Sequence, residues 1–449
     1  MKCFIDPNEC AGSTDSQRIQ AAVNEASRSG CNKVVIPSFN TRTGTNLWEI
    51  EKTILLPSHM YVEINNAHLR MADDVFGQMF RNANALMPLG TVAEGEQEDI
   101  VIQGVGRALL DGGKHNGLRE KNPVEGHIMA DNLTILLHNV KNFKIDGLTV
   151  RDQRWWAICF AWARQGVVSN IRFELTGKCI RGSTEYPWKN QDGIDLRVGC
   201  HDILIENISG ETGDDTVALT ALAFEGSRSF ENLYRCRHLS SDIYNVQIHN
   251  INTYNNHCAM VRLLCHNRNK IYNIDINGIV DATPDDQPLE VNDGKRTGNC
   301  VKLGDHGFRS AGEELQCKLG EMSDISVSNV YSKALSAVTI NCAVKNVFVR
   351  NIFVGKQGGN AVGCSYLVGG RYRDLGTGER PNYLENIFVD GVFSQSERED
   401  HRAPFLFSDL AAKNFRATNV VYPGGDIAEV YGEDSLAGVT FENVFPENV

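Results

Sequence analysis

No apolar run in this 449-residue sequence approaches the roughly 18 to 20 residues that a membrane-spanning helix needs, which excludes helical insertion into a bilayer. Blocks of like charge are also missing, and the formal charge is −12. A negative surface of this kind argues against nucleic acid or an anionic membrane as the main partner. A local pocket of Arg and Lys could still bind a carboxylate. The thirteen cysteines form no CxxC pair and no Cys/His spacing that reads as zinc, so no metal and no cofactor is expected. The opening MKCFIDPNEC lacks the apolar core of a secretory signal. Together these absences predict a cytoplasmic protein whose cysteines serve as small packing residues. Low charge (22%) and ordinary apolar content (42%) exclude disorder.

Past the first 30 residues, the long amphipathic helices of βαβ crossovers are absent, which excludes a doubly wound sheet. Hairpin turns are missing too, which argues against a sandwich. What recurs is a short strand of alternating polarity followed by Asn or Gly and another apolar residue. It reads FKIDGLTV from Phe143, ILIENIS from Ile203, VQIHNIN from Val246, IDINGIV from Ile274 and ISVSNVY from Ile325. VFVRNIF from Val347, IFVDGVF from Ile387 and VTFENVF from Val439 continue the series. Period-2 alternation at multiples of a repeat in the 20s predicts an all-β solenoid, a single-stranded right-handed parallel β-helix, as one domain over residues 1–449. SQRIQAAVNEASRSG, from Ser16, has helical spacing and ends on Gly30, predicting a helix that caps the stack within an N-terminal cap region of residues 1–60. Residues 283–319 are poor in apolar side chains. They read as a long inserted loop, forming a wall of a cleft or a contact in a homo-oligomer.

The densest polar stretch is NQDGIDLRVGCHDILIENISGETGDDTVALTA, from Asn190. Asp192 and Asp214 stand 22 positions apart, about one coil, with Asp215 adjacent. Further steps of 24 reach His238 and then Arg262. Carboxylates stacked on neighbouring coils suit glycosidic cleavage, where one acid protonates the leaving oxygen and a carboxylate activates water. Crowding raises the proton affinity of one of them, as an acid near neutral pH requires. Asp195 reads as a structural residue. Arg262, a charge within the apolar run VRLL, needs a partner. Trp155 and Trp156, taken as alternating on a strand, should face opposite ways, one in the core and one as a sugar platform.

The strings NQDGID, GDD and NFKIDGLTVRDQRWWAICF, with STDSQRIQAAV, VVIP, ILLPSHMYVEI and VIQGVGRALLDGG upstream, resemble glycoside hydrolase family 28, the polygalacturonase-like enzymes. The resemblance covers about three quarters of the chain and is strongest from Asn139 to Leu219. It implies that Asp192, Asp214 and Asp215 are catalytic in an inverting reaction, with Asp214 the general acid and Asp192 and Asp215 holding the water. Asn190 matches the motif's asparagine, although stacked asparagines also serve β-helix bends. Departures follow downstream. His238 lacks the flanking glycines of the family's Gly-His-Gly, with His257 and His306 as alternatives, and Leu264 stands where the lysine of Arg-x-Lys is expected. Arg268 or Lys270 could replace that lysine in binding substrate, together with Arg262, His238, Asn190 and Trp155. The expected activity is hydrolysis of an α-linked bond in galacturonate-containing oligosaccharides, by exo action on short fragments if the protein is cytoplasmic. The alternatives are a lyase-like β-elimination and a non-catalytic carbohydrate-binding β-helix.

Overall fold

A computed structural model describes residues 4–119, 124–176, 190–222, 236, 238–265, 269–287, 296–304, 317–364, 382–408, 410–431 and 436–446. They form two compact units, the first from residues 1–214 with 224–241 and the second from 215–223 with 242–449. Each unit is a right-handed parallel β-helix, with every pairing between named strands parallel.

The alternating motifs become the long strands of each unit. In the first unit Val34, Val62, Ile102, Ile145, Val168 and Ile205 lie in register on successive coils, all fully buried. In the second, Ile248, Ile276, Val327, Val349, Val389 and Ala417 do the same. Rungs ~4.8 Å apart bring each apolar side chain onto its counterpart, and burying one Val or Ile stabilises by about 1.5–3 kcal/mol. Eight of the described cysteines are buried, and none of the described cysteines is in a disulfide.

The Asn or Gly within each motif marks a bend. Asn277, Asn329 and Asn351 form one ladder, Asn329 donating to Asn277 at 2.8 Å and Asn351 to Asn329 at 3.1 Å. Asn346, Asn386 and Asn414 form a second ladder, each donating to the coil before it, starting from Asp324. Asn329 and Asn351 have φ of 58° and 54°, left-handed values that short amide side chains tolerate. Where the next coil has Gly391 at φ 76°, a Cβ would stand 3.2 Å from Asn351 Oδ1. Asn351→Ala should therefore lose a ladder bond and strain the bend, destabilising by about 2 kcal/mol. Asn351→Gly should lose only the bond, and urea melts of the two variants separate these causes.

A second set of short strands carries the site. In the first unit these include Ile54–Leu56, Phe80–Asn82, Ile135–His138, Ile158–Ala161 and Ile194–Arg197. In the second they run from Val217–Ala221 through Ala259–Cys265, Asn299–Leu303 and Ser336–Ile340. The strand Asn299–Leu303 corrects the expectation of an inserted loop over 283–319. Cys300, Val301 and Leu303 are buried, and the strand pairs with Ala259–Cys265 and Ser336–Ile340. Five residues of rung among charged neighbours had too little pattern to read.

The helix α1, Asp15–Ser29, has Thr14 as N-cap accepting from Gln17 N, and ends at Gly30 with φ 72°. Ile19, Ala22, Val23 and Ala26 face the first strands and are fully buried. Asp15, also buried, ties the helix down. Burial raises its proton affinity, but Arg42 at 2.6 Å and Glu49 N at 2.9 Å outweigh this and hold its carboxyl below the usual range. A depressed folded-state value means stability that is present at neutral pH and lost as the pH falls below about 4. Amide exchange in α1 should accelerate in that window, and Arg42→Ala should move the onset to higher pH. Among the described residues no helix is long and apolar enough to cross a membrane.

Candidate active site

Within the first unit, Asp192 sits in an irregular turn just before the strand Ile194–Arg197. Asn190 opens the turn at φ 58°, a conformation that its residue type favours. The turn is fixed through its carbonyls. Gln191 O accepts from Gly213 N at 3.1 Å, and Asp192 O from Ala157 N at 3.0 Å. Gln153 Nε2 reaches both carbonyls, at 3.1 and 3.3 Å, while Gln191 Nε2 donates to Gln153 O at 2.8 Å. Asp192 is 2% exposed. The next turn, which ends in Asp214, is braced by Thr212 Oγ1 donating to Asp214 O at 2.8 Å. Asp214 is half-buried.

Asp195 and Arg197 lie on the same side of their strand, opposite the inward Ile194 and Leu196. Both are buried, with 3.8 Å between Asp195 Oδ1 and Arg197 Nη1. The Arg197 guanidinium stacks over the Trp156 ring at 4.4 Å. This revises the reading of the tryptophan pair. Trp155 and Trp156 precede the strand Ile158–Ala161, and their rings are 5.6 Å apart and tilted by 39°, so they share one side. A strand's alternation does not act on residues in a bend. Trp155 is buried and Trp156 half-buried, which makes Trp156 the accessible ring of the two.

In the second unit Asp215 is 3% exposed. Its Oδ2 is 2.8 Å from Arg262 Nε, and its Oδ1 accepts from Ala259 N at 2.9 Å. The partner that a charge within VRLL requires is thus Asp215. Arg262 is in register with Lys302 on the next rung. Because Val261, Leu263, Val301 and Leu303 point into the core, Arg262 and Lys302 share the outward face. Leu264, at the position expected for a lysine, is buried.

The remaining candidates fall elsewhere. His238 does not occupy a rung: it is exposed in a turn, and Val217 pairs directly with Val261. A uniform step of 24 fails there because that coil is nearly twice as long. His257 lies at the turn into Ala259–Cys265 with φ 61°. Lys270 is exposed at the entry of the long strand Ile271–Asp281, away from the short strands that carry Arg262 and Lys302. Arg268 and His306 lie outside the described residues. Sequence reasoning missed Gln153, Trp156 as an Arg197 partner, and Lys302. Only Lys302 left a signal, the alternation of Val301, Lys302 and Leu303. Among the described residues of the first unit, His59, Glu98 and Asp99 stand close enough to share a cation, apart from these turns.

Residues 92–227, which contain all three aspartates, match the family described as glycosyl hydrolases family 28. This match bears out, over that segment, the resemblance carried by NQDGID and GDD, and supports the hydrolase reading. No curated protein matches the chain. Among solved structures it is similar to a hyperthermoactive exopolygalacturonase from Thermotoga maritima, with 14% identity, 96% of this chain and 92% of that one covered, and a TM-score of 0.51. It is also similar to PfbA, a surface adhesin of Streptococcus pneumoniae, at 15% identity, 99% and 93% coverage and a TM-score of 0.51. A tailspike protein of E. coli bacteriophage HK620 in complex with a pentasaccharide gives 12% identity, 98% and 80% coverage and a TM-score of 0.53. At such identities the likenesses establish the parallel β-helix fold alone.

Proposed function

We propose that this family 28 segment hydrolyses an α-linked glycosidic bond with inversion, in galacturonate-containing oligosaccharides, acting at chain ends. Asp214 is the general acid, and Asp192 and Asp215 hold and activate water. The observation that carries this reading is the unequal burial of the consecutive pair. Asp214 is half-buried, whereas Asp215 is buried against Arg262. A proton donor must reach the leaving oxygen, while a buried carboxylate paired with a guanidinium suits the base side. The same ion pair disfavours β-elimination by Arg262, because a guanidinium held against a carboxylate does not give up its proton.

Galacturonate is supported by Arg262 and Lys302, two cations on one face of adjacent rungs. Lys302→Ala should raise KM for digalacturonate about tenfold, and leave KM for a neutral disaccharide unchanged if one is cleaved. A tenfold change corresponds to one charge-assisted hydrogen bond of about 1.4 kcal/mol. The deciding experiment incubates wild type and Asp214→Asn with digalacturonate and polygalacturonate and follows the released anomer by NMR. Release of the inverted sugar from chain ends, lost in Asp214→Asn, is the expected result. Retention of configuration, internal cuts in polymer or an unsaturated product would each overturn the corresponding part of the proposal. Sugar binding without turnover, unchanged in Asp214→Asn, would make the protein a binding module.

A further inference from the structure

The Asp192 turn and the Asp214 turn have no regular structure of their own, yet a catalytic pair on them must keep a fixed separation. Three segments of the first unit meet at two buried amides, Gln153 at 0% and Gln191 at 2% exposure. The Gln153 side chain bridges the carbonyls of Gln191 and Asp192, which lie on either side of the Asp192 Cα. Gln191 returns a bond from its side chain to Gln153 O. Its own carbonyl also receives Gly213 N, the residue just before Asp214. The fit is close: a Cβ at Gly213 would stand 2.8 Å from Gln191 Oε1 and 2.9 Å from its Cβ. Two apolar side chains of the same volume could fill this space, but they could not select one position of the turn.

We propose that Gln153 and Gln191 form an amide clasp that sets the position of Asp192 relative to Asp214, making Gln153 a positioning residue for the hydrolysis. The inference rests on the acid and base assignments above. A buried amide bridging two carbonyls loses both bonds together if the turn shifts, so one geometry is favoured over its neighbours. Misplacing a reacting group by about 1 Å costs on the order of 100-fold in rate.

The test is Gln153→Met, which keeps the side chain's length and volume and removes its donors, beside wild type and Gln153→Asn. On digalacturonate, Gln153→Met should lose about 100-fold in kcat with KM changed less than threefold, and its pH–rate profile should shift. Gln153→Asn, which keeps the amide, should recover part of the loss. A Gln153→Met enzyme with wild-type kcat and pH profile overturns the clasp, because a packing role alone predicts that outcome. If wild type itself cleaves nothing, the hydrolase reading fails, and the crystal structure of Gln153→Met still decides the clasp. A displaced Asp192 turn supports it, and an unmoved turn overturns it.

Discussion

Arg262→Ala is expected to destabilise the second unit by about 3–5 kcal/mol, the typical cost of stranding one member of a buried ion pair. The Asp215 side chain is only 4% exposed and Arg262 only 16%, so neither charge is well solvated. Without the guanidinium, Asp215 Oδ1 keeps its bond from Ala259 N, but Oδ2 loses the ion pair at 2.8 Å. The loss is asymmetric. Asp215→Asn leaves Arg262, whose longer side chain can reach water more readily, and should cost less than Arg262→Ala. Asp215→Asn combined with Arg262→Met removes both charges and should recover most of the stability, since no ion remains buried. Urea unfolding of the four proteins measures this directly. An Arg262→Ala cost under about 1 kcal/mol would mean the pair is screened like a surface contact.

The long strands were legible because each has one buried and one exposed face. ISVSNVY places Ile325, Val327 and Val330 inward, and the shift from a step of two to a step of three falls on Asn329, the left-handed residue. The short strands were not legible by the same rule. ICFA, IDLR, VALTA, SAVTI and FLFS are buried on both faces, so their composition does not alternate with exposure. Polar residues that point outward on these strands and are nonetheless buried, such as Asp195 and Arg197, are where sequence pattern and site chemistry part company.

For the site the division is similar. Asp192, Asp214 and Asp215 were visible because carboxylates recur at one-coil spacing, and Arg262 because a charge in an apolar run needs compensation. His238 was misplaced since a coil's length is set by its loops, which vary, and not by its rungs. Gln153 could not be seen. A glutamine beside two tryptophans carries no pattern, and its role exists only once the chain has brought residue 191 against it.

Loss of turnover should be largest in the aspartate variants, and its form should distinguish their roles. Asp214→Asn keeps the size of the side chain and the bond from Thr212 Oγ1 to the Asp214 backbone carbonyl. Folding should be untouched while kcat falls about 10²–10⁴-fold, the usual contribution of a positioned acid or base. If Asp214 donates the proton, a substrate whose leaving group needs none, such as a nitrophenyl galacturonide, should recover most of that loss. Asp192→Asn should lose a similar factor on digalacturonate without that recovery, because water must still be activated whatever leaves. Equal rescue of both variants by the activated substrate would mean that Asp192 and Asp214 do not divide the acid and base roles between them.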